Sequence, residues 1–450
     1  MKLIPKPNIA RAQSRLAKTG YNLMPHQIKG VNWLLKRESA EKPKGGILAD
    51  DMGLGKTIQT ISCILGNPKK KTLIVVPANL VNQWESEFKK FVPDLPLYIH
   101  WRKQVVGEEQ FEEMETQPVN VILTTYGYVK STFAQSNRFD RIVCDEAHYF
   151  RNPGSKTFKF IQLISSPIRW ALTGTPIQNY LKDLQTLLSY VGLTQYGWGR
   201  QMTIEDAEEL IPIYVLRRTK SEAKIELPKP KFNTIGIKFR NKLEDDFYQK
   251  VRENTLHHKH SIGGNPLVQI LRMRQSTCVS GSLAKKFARK HNITLGEFSN
   301  MASTKLDFIA KKIDAETKSV VFCYFKAEID YLAQKLAARQ IPYGVISGDV
   351  PMSERKQVVT EDALSVLLIQ IHAGGTGLNL QHYKQIYISS PHWNPSLEEQ
   401  AIGRLYRIGQ DDSVVVNRII MMRINEKSTI DQRIQEVQQK KRDLIDTLLS

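Results

Sequence analysis

Short, unbroken apolar runs recur along this chain, and a polar turn and a helix-like segment follow each run. They are "TLIVVP", "NVILTTY", "RIVCDE" and "RWALTGT" in the first half, and "SVVFCYF", "IPYGVIS", "SVLLIQI" and "QIYISS" in the second. Continuous Val, Ile and Leu are typical of strands that are buried on both faces, as in parallel sheets covered by helices. The pattern therefore predicts an α/β fold with two parallel-sheet lobes.

The lobes are expected to cover residues 1–225 and 226–450, because prolines and lysines in "IELPKPKF" interrupt regular structure there. The chain of 450 residues is also too long for a single core. A polar, helix-leaning region at about 235–300 predicts a helical insertion at the front of the second lobe. Near the end, apolar residues at helical spacing predict a helix over about 428–449, packed on the second lobe. These residues are Ile430, Ile434, Val437, Leu444 and Leu448.

The net charge of +19 and the pI near 9.6 favour a polyanionic partner, of which nucleic acid is the commonest. A basic chain that is merely soluble is the alternative. The four cysteines lie far apart without a C-x-x-C pair, which argues against a zinc ribbon and for a reducing compartment. His257, His258 and His260 lack partners at ligand spacing, so a polar loop or a phosphate contact is favoured over a metal site.

No membrane attachment is expected from the sequence. The longest apolar runs are far shorter than the ~20 residues of a membrane-spanning helix. The basic N-terminal segment "MKLIPKPNIARAQSRLAKTG" lacks the apolar stretch of a signal peptide.

The stretch "ILADDMGLGKTIQT" resembles the phosphate-binding pattern G-x-x-x-x-G-K-[ST], but Asp50 replaces the first glycine. Gly53 and Gly55 allow a tight turn between a predicted strand and a predicted helix. Backbone N–H groups and the helix N-terminus would then face a phosphate. Lys56 is expected to reach the β- and γ-phosphates, and the Thr57 hydroxyl is expected to hold Mg²⁺.

A second motif, "RIVCDEAHYF", places Asp145 and Glu146 at the carboxyl end of a predicted strand, where ligands bind in open α/β sheets. Asp145 is expected to coordinate Mg²⁺ through water, and Glu146 to orient and deprotonate an attacking water. Two carboxylates here could also cap the next helix. The Gly-Lys-Thr sequence upstream favours the catalytic interpretation.

Phosphoryl transfer also needs positively charged groups next to the γ-phosphate in the transition state. In "EEQAIGRLYRIGQ", Arg404 and Arg407 are three residues apart on a predicted helix, so both could face one target. If they reach across from the second lobe, hydrolysis requires the lobes to close. A surface helix with arginines is the alternative, which the spacing alone does not reject.

Taken in order, these motifs resemble the Snf2 (SWI2/SNF2) family of superfamily 2 helicase-like ATPases over nearly the whole chain. "LMPHQIKGVNWLL" is similar to the family's adenine-reading motif, with Gln27 as the adenine contact and His26 in place of the usual Tyr. "DDMGLGKT" is similar to the family form D-E-M-G-L-G-K-T, in which aspartate is the normal first residue. The resemblance implies that one loop binds the nucleotide through Asp50, Met52, Gly53, Leu54, Gly55, Lys56 and Thr57.

Further motifs extend the resemblance through the first lobe. "LIVVPANLVNQWESEF" is similar to motif Ia, and its Trp84 and Glu85 match the family pattern. "LTGTPIQN" is similar to motif III, which implies that Thr173 and Thr175 link hydrolysis to lobe movement.

The second lobe resembles the family as well. "YVLRRTKSE" and "LRMRQSTC" are similar to segments specific to Snf2 proteins, and "ISGDVPMSERKQVV" is similar to motif IVa. "IHAGGTGLNLQ" is similar to motif V, which implies a nucleotide contact at Gly375; Thr376 stands where the family varies. "HWNPSLEEQAIGRLYRIGQ" is similar to motif VI, which implies that Arg404 and Arg407 contact the nucleotide.

The resemblance implies two RecA-like lobes that use ATP and Mg²⁺ to move along duplex DNA. Because the chain holds little beyond the motor, it resembles small viral and phage Snf2-like helicases that act on branched DNA. The predicted function is therefore branch migration and fork or junction processing. Alternatives are a translocase that strips RNA polymerase or other proteins, a chromatin-remodelling motor, an RNA helicase, and a non-hydrolysing DNA-binding scaffold. A monomer is expected, in the cytoplasm for a phage or viral protein and in the nucleus for a eukaryotic one.

Overall fold

The computed structural model describes most of the chain. The described residues are 7–102, 106, 108–129, 138–178, 180–196, 201–240, 242–257, 266–278, 281, 302–373, 378–423 and 428–449. Gly375, Thr376, His258 and His260 lie outside these ranges, so the predictions made for them stay predictions.

The chain divides into two compact units, which are described separately below. Unit 1 contains Met1–Glu226 and Asp443–Ser450, and unit 2 contains Leu227–Arg442. Each unit is built on one parallel sheet with helices packed against it. The prediction of an α/β fold with two parallel-sheet lobes is therefore confirmed.

Unit 1 contains a seven-stranded parallel sheet with the order β3-β4-β2-β5-β6-β1-β7. Its strands are β1 (Lys44–Leu48), β2 (Lys71–Val76), β3 (Leu97–His100), β4 (Asn120–Thr125), β5 (Arg141–Asp145), β6 (Ile168–Leu172) and β7 (Val215–Leu216). Its helices are α1 (Ile9–Ala17), α2 (Pro25–Ser39), α3 (Lys56–Gly66), α4 (Val81–Phe91), α5 (Glu108–Thr116), α6 (Lys156–Leu163), α7 (Leu181–Val191) and α8 (Ile204–Tyr214).

The continuous apolar runs of unit 1 are explained by two cores, one on each face of the sheet. In β2, Leu73 and Val75 face one core, whereas Ile74 and Val76 face the other. All four side chains are fully buried. Because successive side chains of a strand point to opposite faces, a strand covered on both sides must be apolar throughout.

Unit 2 contains a six-stranded parallel sheet with the order β10-β11-β9-β12-β13-β8. Its strands are β8 (Lys231–Lys238), β9 (Ser319–Cys323), β10 (Tyr343–Ile346), β11 (Val366–Gln370), β12 (Gln385–Ile388) and β13 (Val415–Met422). Its helices are α9 (Lys242–His257), α10 (Pro266–Ser276), α11 (Thr304–Lys312), α12 (Lys326–Ala338), α13 (Met352–Thr360), α14 (Pro395–Ile402) and α15 (Ile430–Leu449).

The start of the helical insertion differs from the sequence prediction. Residues 235–238 belong to β8 at the edge of the sheet, and the first helix after it begins at Lys242. Most of β8 is exposed, with only Ile235 and Ile237 packed against the core. An exposed edge strand has no continuous apolar run, which is why its sequence resembled a polar, helix-leaning segment.

The C-terminal helix α15 lies close to its predicted bounds, but its apolar residues pack in two places. Ile430 and Ile434 pack with Tyr248 in unit 2. Leu448 belongs to a core of unit 1, with which the last residues of the chain are grouped. The prediction that the whole helix packs on the second lobe is therefore wrong for its last turn.

Each unit also contains a fully buried ion pair. In unit 1, Arg141 donates to both carboxylate oxygens of Glu38 at 2.6 Å, and Trp170 donates to the same carboxylate at 2.9 Å. In unit 2, Lys305 is paired with Asp431. No side chain in either pair is more than 1% exposed. Such pairs fix the arrangement of the elements that carry them, because an unpaired buried charge is costly.

Candidate nucleotide site

Three strands of unit 1 end side by side where the sequence places its motifs. Strands β5, β6 and β1 are neighbours, and their register aligns Asp145, Leu172 and Leu48. The glycine loop follows β1, the DEAH sequence follows β5, and "TGTP" follows β6. The structure therefore brings these motifs together at the carboxyl edge of the sheet, where open α/β folds bind ligands.

The loop between β1 and α3 depends on glycine. Gly53 has φ 93° and Gly55 has φ 80°, both in the left-handed region. A Cβ on Gly55 would lie 2.6 Å from Nε2 of Gln27 and 2.9 Å from a methyl carbon of Ile58. Gly55 is the N-cap of α3 and supplies no side-chain cap, so the N-terminal N–H groups of the helix are available to an anion.

Lys56 is the first residue of α3, and its side chain folds back over the loop. Its Nζ donates to the backbone oxygen of Asp50 at 2.6 Å and to that of Asp51 at 3.4 Å. A Cβ on Gly174, which follows β6, would lie 3.9 Å from the same Nζ. The ammonium group thus sits where the loop meets the neighbouring strand end. Thr57, the next residue, is half-buried.

The Asp50 side chain connects the glycine loop to the end of unit 1's last strand segment through Arg218. Its carboxylate is fully buried and paired with Arg218, whose Nε donates to it at 2.9 Å. Gln59 donates to the same carboxylate at 3.0 Å. Its carboxylate thus anchors the loop to Arg218, while its backbone oxygen accepts from Lys56; the nucleotide contact expected of Asp50 stays a prediction. The sequence showed Arg218 within "LRRTK" without indicating this partner.

Helix α2 carries the segment that resembles the adenine-reading motif, and its residues contact the glycine loop at Leu54. The buried Gln27 accepts from the backbone N–H of Met24 at 3.0 Å and donates to the Leu54 oxygen at 3.5 Å. His26 Nε2 lies 3.1 Å from the same oxygen, and burial lowers the pKa of His26. Leu54 is fully buried, whereas Met52 is half-buried. The adenine contact of Gln27 stays a prediction.

Asp145 is held at three of its atoms. Trp84 Nε1 donates to one carboxylate oxygen at 2.8 Å, and the Glu146 N–H donates to the other at 2.9 Å. The Tyr126 hydroxyl donates to the Asp145 backbone oxygen at 2.6 Å. Burial and the neighbouring Glu146 raise the pKa of Asp145 to about 6, while Trp84 and Lys56 oppose that shift. The carboxylate is therefore oriented by its neighbours and retains lone pairs for a cation.

Glu146 adopts the left-handed conformation, with φ 50° and ψ 50°. For a non-glycine residue this conformation costs on the order of 1–3 kcal/mol, and such residues concentrate at functional sites. His148 Nδ1 lies 3.2 Å from Oε2 of Glu146. Tyr149 stacks on Tyr126 with ring centroids 5.2 Å apart. The surrounding contacts thus hold Glu146 in a strained position beside Asp145.

The segment after β6 is connected to the DEAH segment. The Thr175 N–H donates to the Thr173 hydroxyl at 3.2 Å, and Gln178 Nε2 donates to the Thr175 hydroxyl at 3.1 Å. Arg151, just after the DEAH turn, donates to Oε1 of Gln178. A series of hydrogen bonds therefore connects Thr173 and Thr175 of the predicted motif III to Arg151, just after the DEAH segment.

In unit 2, Arg404 and Arg407 do not share a helix, which corrects the sequence prediction. Helix α14 ends at Ile402, and Gly403 is its C-cap. Both arginines lie in the turns that follow, where the Arg404 oxygen accepts from Leu380 N–H at 3.2 Å. Glycine is a poor helix former, and here it ends the helix before the first arginine.

The residues at the unit 1 edge fit a nucleotide and a hard divalent cation. Hydroxyl and carboxylate oxygens, such as those of Thr57 and Asp145, are the ligand types that Mg²⁺ prefers. The helix N-terminus and the Lys56 ammonium suit phosphate oxygens. Apart from this set, the described ranges contain no cluster of His, Cys, Asp or Glu that could hold a metal ion. Among the same residues, no helix is both long and apolar enough to cross a bilayer.

Comparison with known families covers most of the chain. The family described as SNF2-related domain matches residues 26–283, and the helicase conserved C-terminal domain matches residues 304–409. The first match spans more than half of the chain.

Individual relatives are also similar. An uncharacterized ATP-dependent helicase of Mycoplasma pneumoniae is 30% identical over 95% of this chain, which covers only 42% of that relative. A protein of Orgyia pseudotsugata multicapsid polyhedrosis virus named "probable global transactivator" is 28% identical, over 93% of this chain and 90% of the relative. The solved structure of the Sulfolobus solfataricus SWI2/SNF2 ATPase core in complex with dsDNA is 25% identical, covers 99% of this chain and 95% of that chain, and has a TM-score of 0.43.

Proposed function

This chain belongs to the SNF2-related family of helicase-type enzymes, and on that basis we propose that it hydrolyses ATP at the unit 1 edge and uses the turnover to move along DNA. The observation that carries the proposal is that the Lys56 loop after β1 and the Asp145–Glu146 pair after β5 lie at the same edge of the sheet, with only β6 between their strands. A phosphate-binding loop and an acidic pair at one sheet edge are the parts that phosphoryl transfer to water requires.

The proposed roles follow from the contacts of each residue. Lys56, whose ammonium group donates to the backbone oxygens of Asp50 and Asp51, would exchange these contacts for phosphate oxygens. Thr57 and Asp145 would hold Mg²⁺, and Glu146 would take the proton from the attacking water at its carboxylate. Bound MgATP supplies the phosphoanhydride bond and the divalent charge. Arg404 and Arg407 are proposed to add positive charge at the γ-phosphate, as their motif implies, and Gly375 and Gln27 to contact the nucleotide.

DNA is the proposed track. The net charge of +19 supports binding to a polyanion through sequence-independent phosphate contacts. Named relatives include an ATP-dependent helicase, and 90% of the viral relative's length is covered by this chain. We propose that the chain acts on branched DNA, in branch migration and in fork or junction processing. We further propose that it acts as a monomer, in the compartment that holds the DNA. That compartment is the cytoplasm for a phage or viral protein.

A panel of DNA substrates tests this function. ATP turnover and strand exchange are measured with a four-way junction, a fork, a linear duplex and single-stranded DNA, each at equal nucleotide concentration. We expect the junction or the fork to be converted in an ATP-dependent manner, with Glu146→Gln as the inactive control. Displacement of a stalled RNA polymerase with no action on junctions would favour the protein-stripping alternative. DNA binding without ATP turnover would favour the non-hydrolysing scaffold.

A further inference from the structure

The outer edge of β8 in unit 2 presents a row of backbone groups that point away from the sheet. Strand β8 runs for eight residues and pairs on one side only, in parallel register with β13. At its start, the Lys231 N–H donates to the Val414 oxygen at 2.9 Å. Because alternate residues of a parallel ladder bond to the same neighbour, the even-numbered residues of β8 point their N–H and C=O groups outward. Within the described ranges, these outward groups make no hydrogen bond; they belong to Phe232, Thr234, Gly236 and Lys238.

The length and exposure of β8 distinguish it from the other sheet edges. The remaining edge strands are β3, β7 and β10, which have four, two and four residues. In β8, Phe232 is 54% exposed, and only Ile235 and Ile237 pack against the core. Proteins usually keep an unpaired edge short, because a long one recruits further strands. An edge of eight residues is long enough for an extended peptide to add to the sheet.

Apolar side chains lie beside this edge at two points along the strand. The Arg418 guanidinium lies 5.2 Å from the centre of the Phe232 ring and is paired with Glu398. A Cβ on Gly236 would overlap the Met422 sulfur, so the Met422 side chain covers the strand at this glycine. The surface at Phe232 and Met422 could therefore pack against apolar side chains of an added strand.

Both ends of β8 are basic. Lys231 and Lys238 are exposed, and neither has an ion-pair partner among the described residues. Lys229 and Arg240 flank the strand in sequence. Three carboxylates of adjoining segments are paired with other cations: Glu398 with Arg418, Asp245 with Arg423 and Asp412 with Lys384.

Two further carboxylates, Asp246 on α9 and Asp411 before β13, are exposed, and the four cations outnumber them. This charge argues against a second copy of the chain as the occupant of the edge. If two β8 strands paired antiparallel, the Lys231 end of one would meet the Lys238 end of the other, and like charges oppose such pairing. A strand with a carboxylate near each end would be attracted instead.

We propose that the outer edge of β8 binds an extended acidic segment of a partner protein, which adds to the six-stranded sheet of unit 2 as a further strand. Backbone hydrogen bonds to the outward groups of β8 supply the affinity. Carboxylates near the two ends of the segment pair with Lys231 and Lys238 and select the partner. An apolar residue between them packs on Phe232. The proposal requires neither the unit 1 loop nor movement on DNA, so it is independent of the proposed function.

Two synthetic peptides test the charge preference. Each is labelled with fluorescein and matches β8 in length, with valine and threonine alternating between two glutamates or between two lysines. Fluorescence anisotropy is measured with the whole protein, without ATP or DNA. We expect the glutamate-ended peptide to bind about tenfold more tightly, and the double variant Lys231→Glu, Lys238→Glu to reverse this preference. The control is Lys311→Glu with Lys440→Glu, because both lysines are exposed on helices of unit 2.

Thr234→Pro tests the backbone pairing separately from charge. The proline removes an outward N–H and no hydrogen bond of the β8–β13 ladder, which is the arrangement that an edge strand tolerates. It should weaken binding of the glutamate-ended peptide about tenfold, as for one lost hydrogen bond. Thr234→Ser keeps the N–H and is the control. In the wild type, bound peptide should slow hydrogen exchange at the outward amides of β8.

Several outcomes would overturn the proposal. Equal binding of the two peptides, binding of neither, or variants that match their controls would each show that the edge does not take an acidic strand. A wild-type dimer that Thr234→Pro dissociates would show that a second copy occupies the edge. Should Thr234→Pro fail to fold, the charge-reversed variant and the exchange measurement decide. A protein that does not hydrolyse ATP or move on DNA would count against the proposed function and leave these binding results unchanged.

Discussion

In unit 1 the ends of β5, β6 and β1 carry two carboxylates, two threonines and a glycine loop, whereas in unit 2 the ends of β11, β9 and β12 carry two histidines and a tyrosine over a buried arginine. Both sheets are parallel and covered by helices. The unit 1 set combines groups that suit phosphate oxygens with groups that suit a divalent cation, whereas the unit 2 set consists of packed rings over a guanidinium. Sheets of the same kind can thus carry groups of different chemistry, because the residues after each strand differ.

The largest expected effect is the loss of ATP turnover when the unit 1 edge is altered. Lys56→Ala removes the ammonium at the loop, and Glu146→Gln removes the base while keeping the shape. Both should abolish DNA-stimulated ATP hydrolysis, measured by phosphate release, and Glu146→Gln should still bind ATP in a fluorescent-nucleotide assay. Full turnover by either variant would contradict the assignment of this edge.

The next effect concerns the arginines of unit 2. Arg404→Ala or Arg407→Ala should lower turnover on the order of 10³-fold if each supplies charge in the transition state. Their placement in turns after α14 does not decide this role. The check is kcat at saturating ATP and DNA, with Arg339→Ala, which alters a helix-capping arginine of the same unit, as the control. A loss below tenfold would mean that these arginines only pack or bind DNA.

The buried ion pairs allow the two units to be compared for stability. Glu38→Gln in unit 1 leaves Arg141 buried without its partner charge, and Asp431→Asn in unit 2 does the same to Lys305. Each change should lower the free energy of unfolding of its own unit by about 3–5 kcal/mol. Denaturant unfolding followed by hydrogen exchange would assign each loss to a unit. An equal loss of protection in both units would show that they unfold together.

The smallest expected effect comes from Trp84, which donates to Asp145 at 2.8 Å. Trp84→Phe keeps an aromatic ring but removes this N–H, so the carboxylate is less well oriented. Loss of such an outer contact typically costs about 10–100-fold in metal affinity. Titration of ADP binding with Mg²⁺ measures it directly. Trp33→Phe is the control because Trp33 packs against Trp170; equal effects of the two variants would indicate a packing role alone.

Parts of this fold could be predicted because their signals are local. Most strands buried on both faces carry a continuous apolar run, and the glycine loop and the DEAH sequence carry their residue types at fixed spacing. Strands β3, β7, β8 and β13 were missed. The edge strand β8 is mostly exposed, and β7 has only two residues. Neither provides a periodic signal.

The supporting contacts of the site could not be predicted because they join distant segments. Arg218 is 168 residues from Asp50, and Trp84 is 61 residues from Asp145. The residues close to Asp50 or Asp145 in the sequence do not indicate which distant residue contacts each carboxylate. Similarly, the sequence showed Arg274 only as part of a segment that resembles the family. Its contact with the Tyr324 ring results from tertiary packing. The sequence identified the residues expected to touch the nucleotide, and the structure added those that hold them.

The pairing of Asp50 with Arg218 limits how this loop can change over evolution. Either residue replaced alone would leave an uncompensated charge in the interior beneath the phosphate loop. A lineage that acquires glycine at position 50 would therefore be expected to lose the arginine at position 218 as well. The two positions should covary among descendants of this sequence, even though 168 residues separate them.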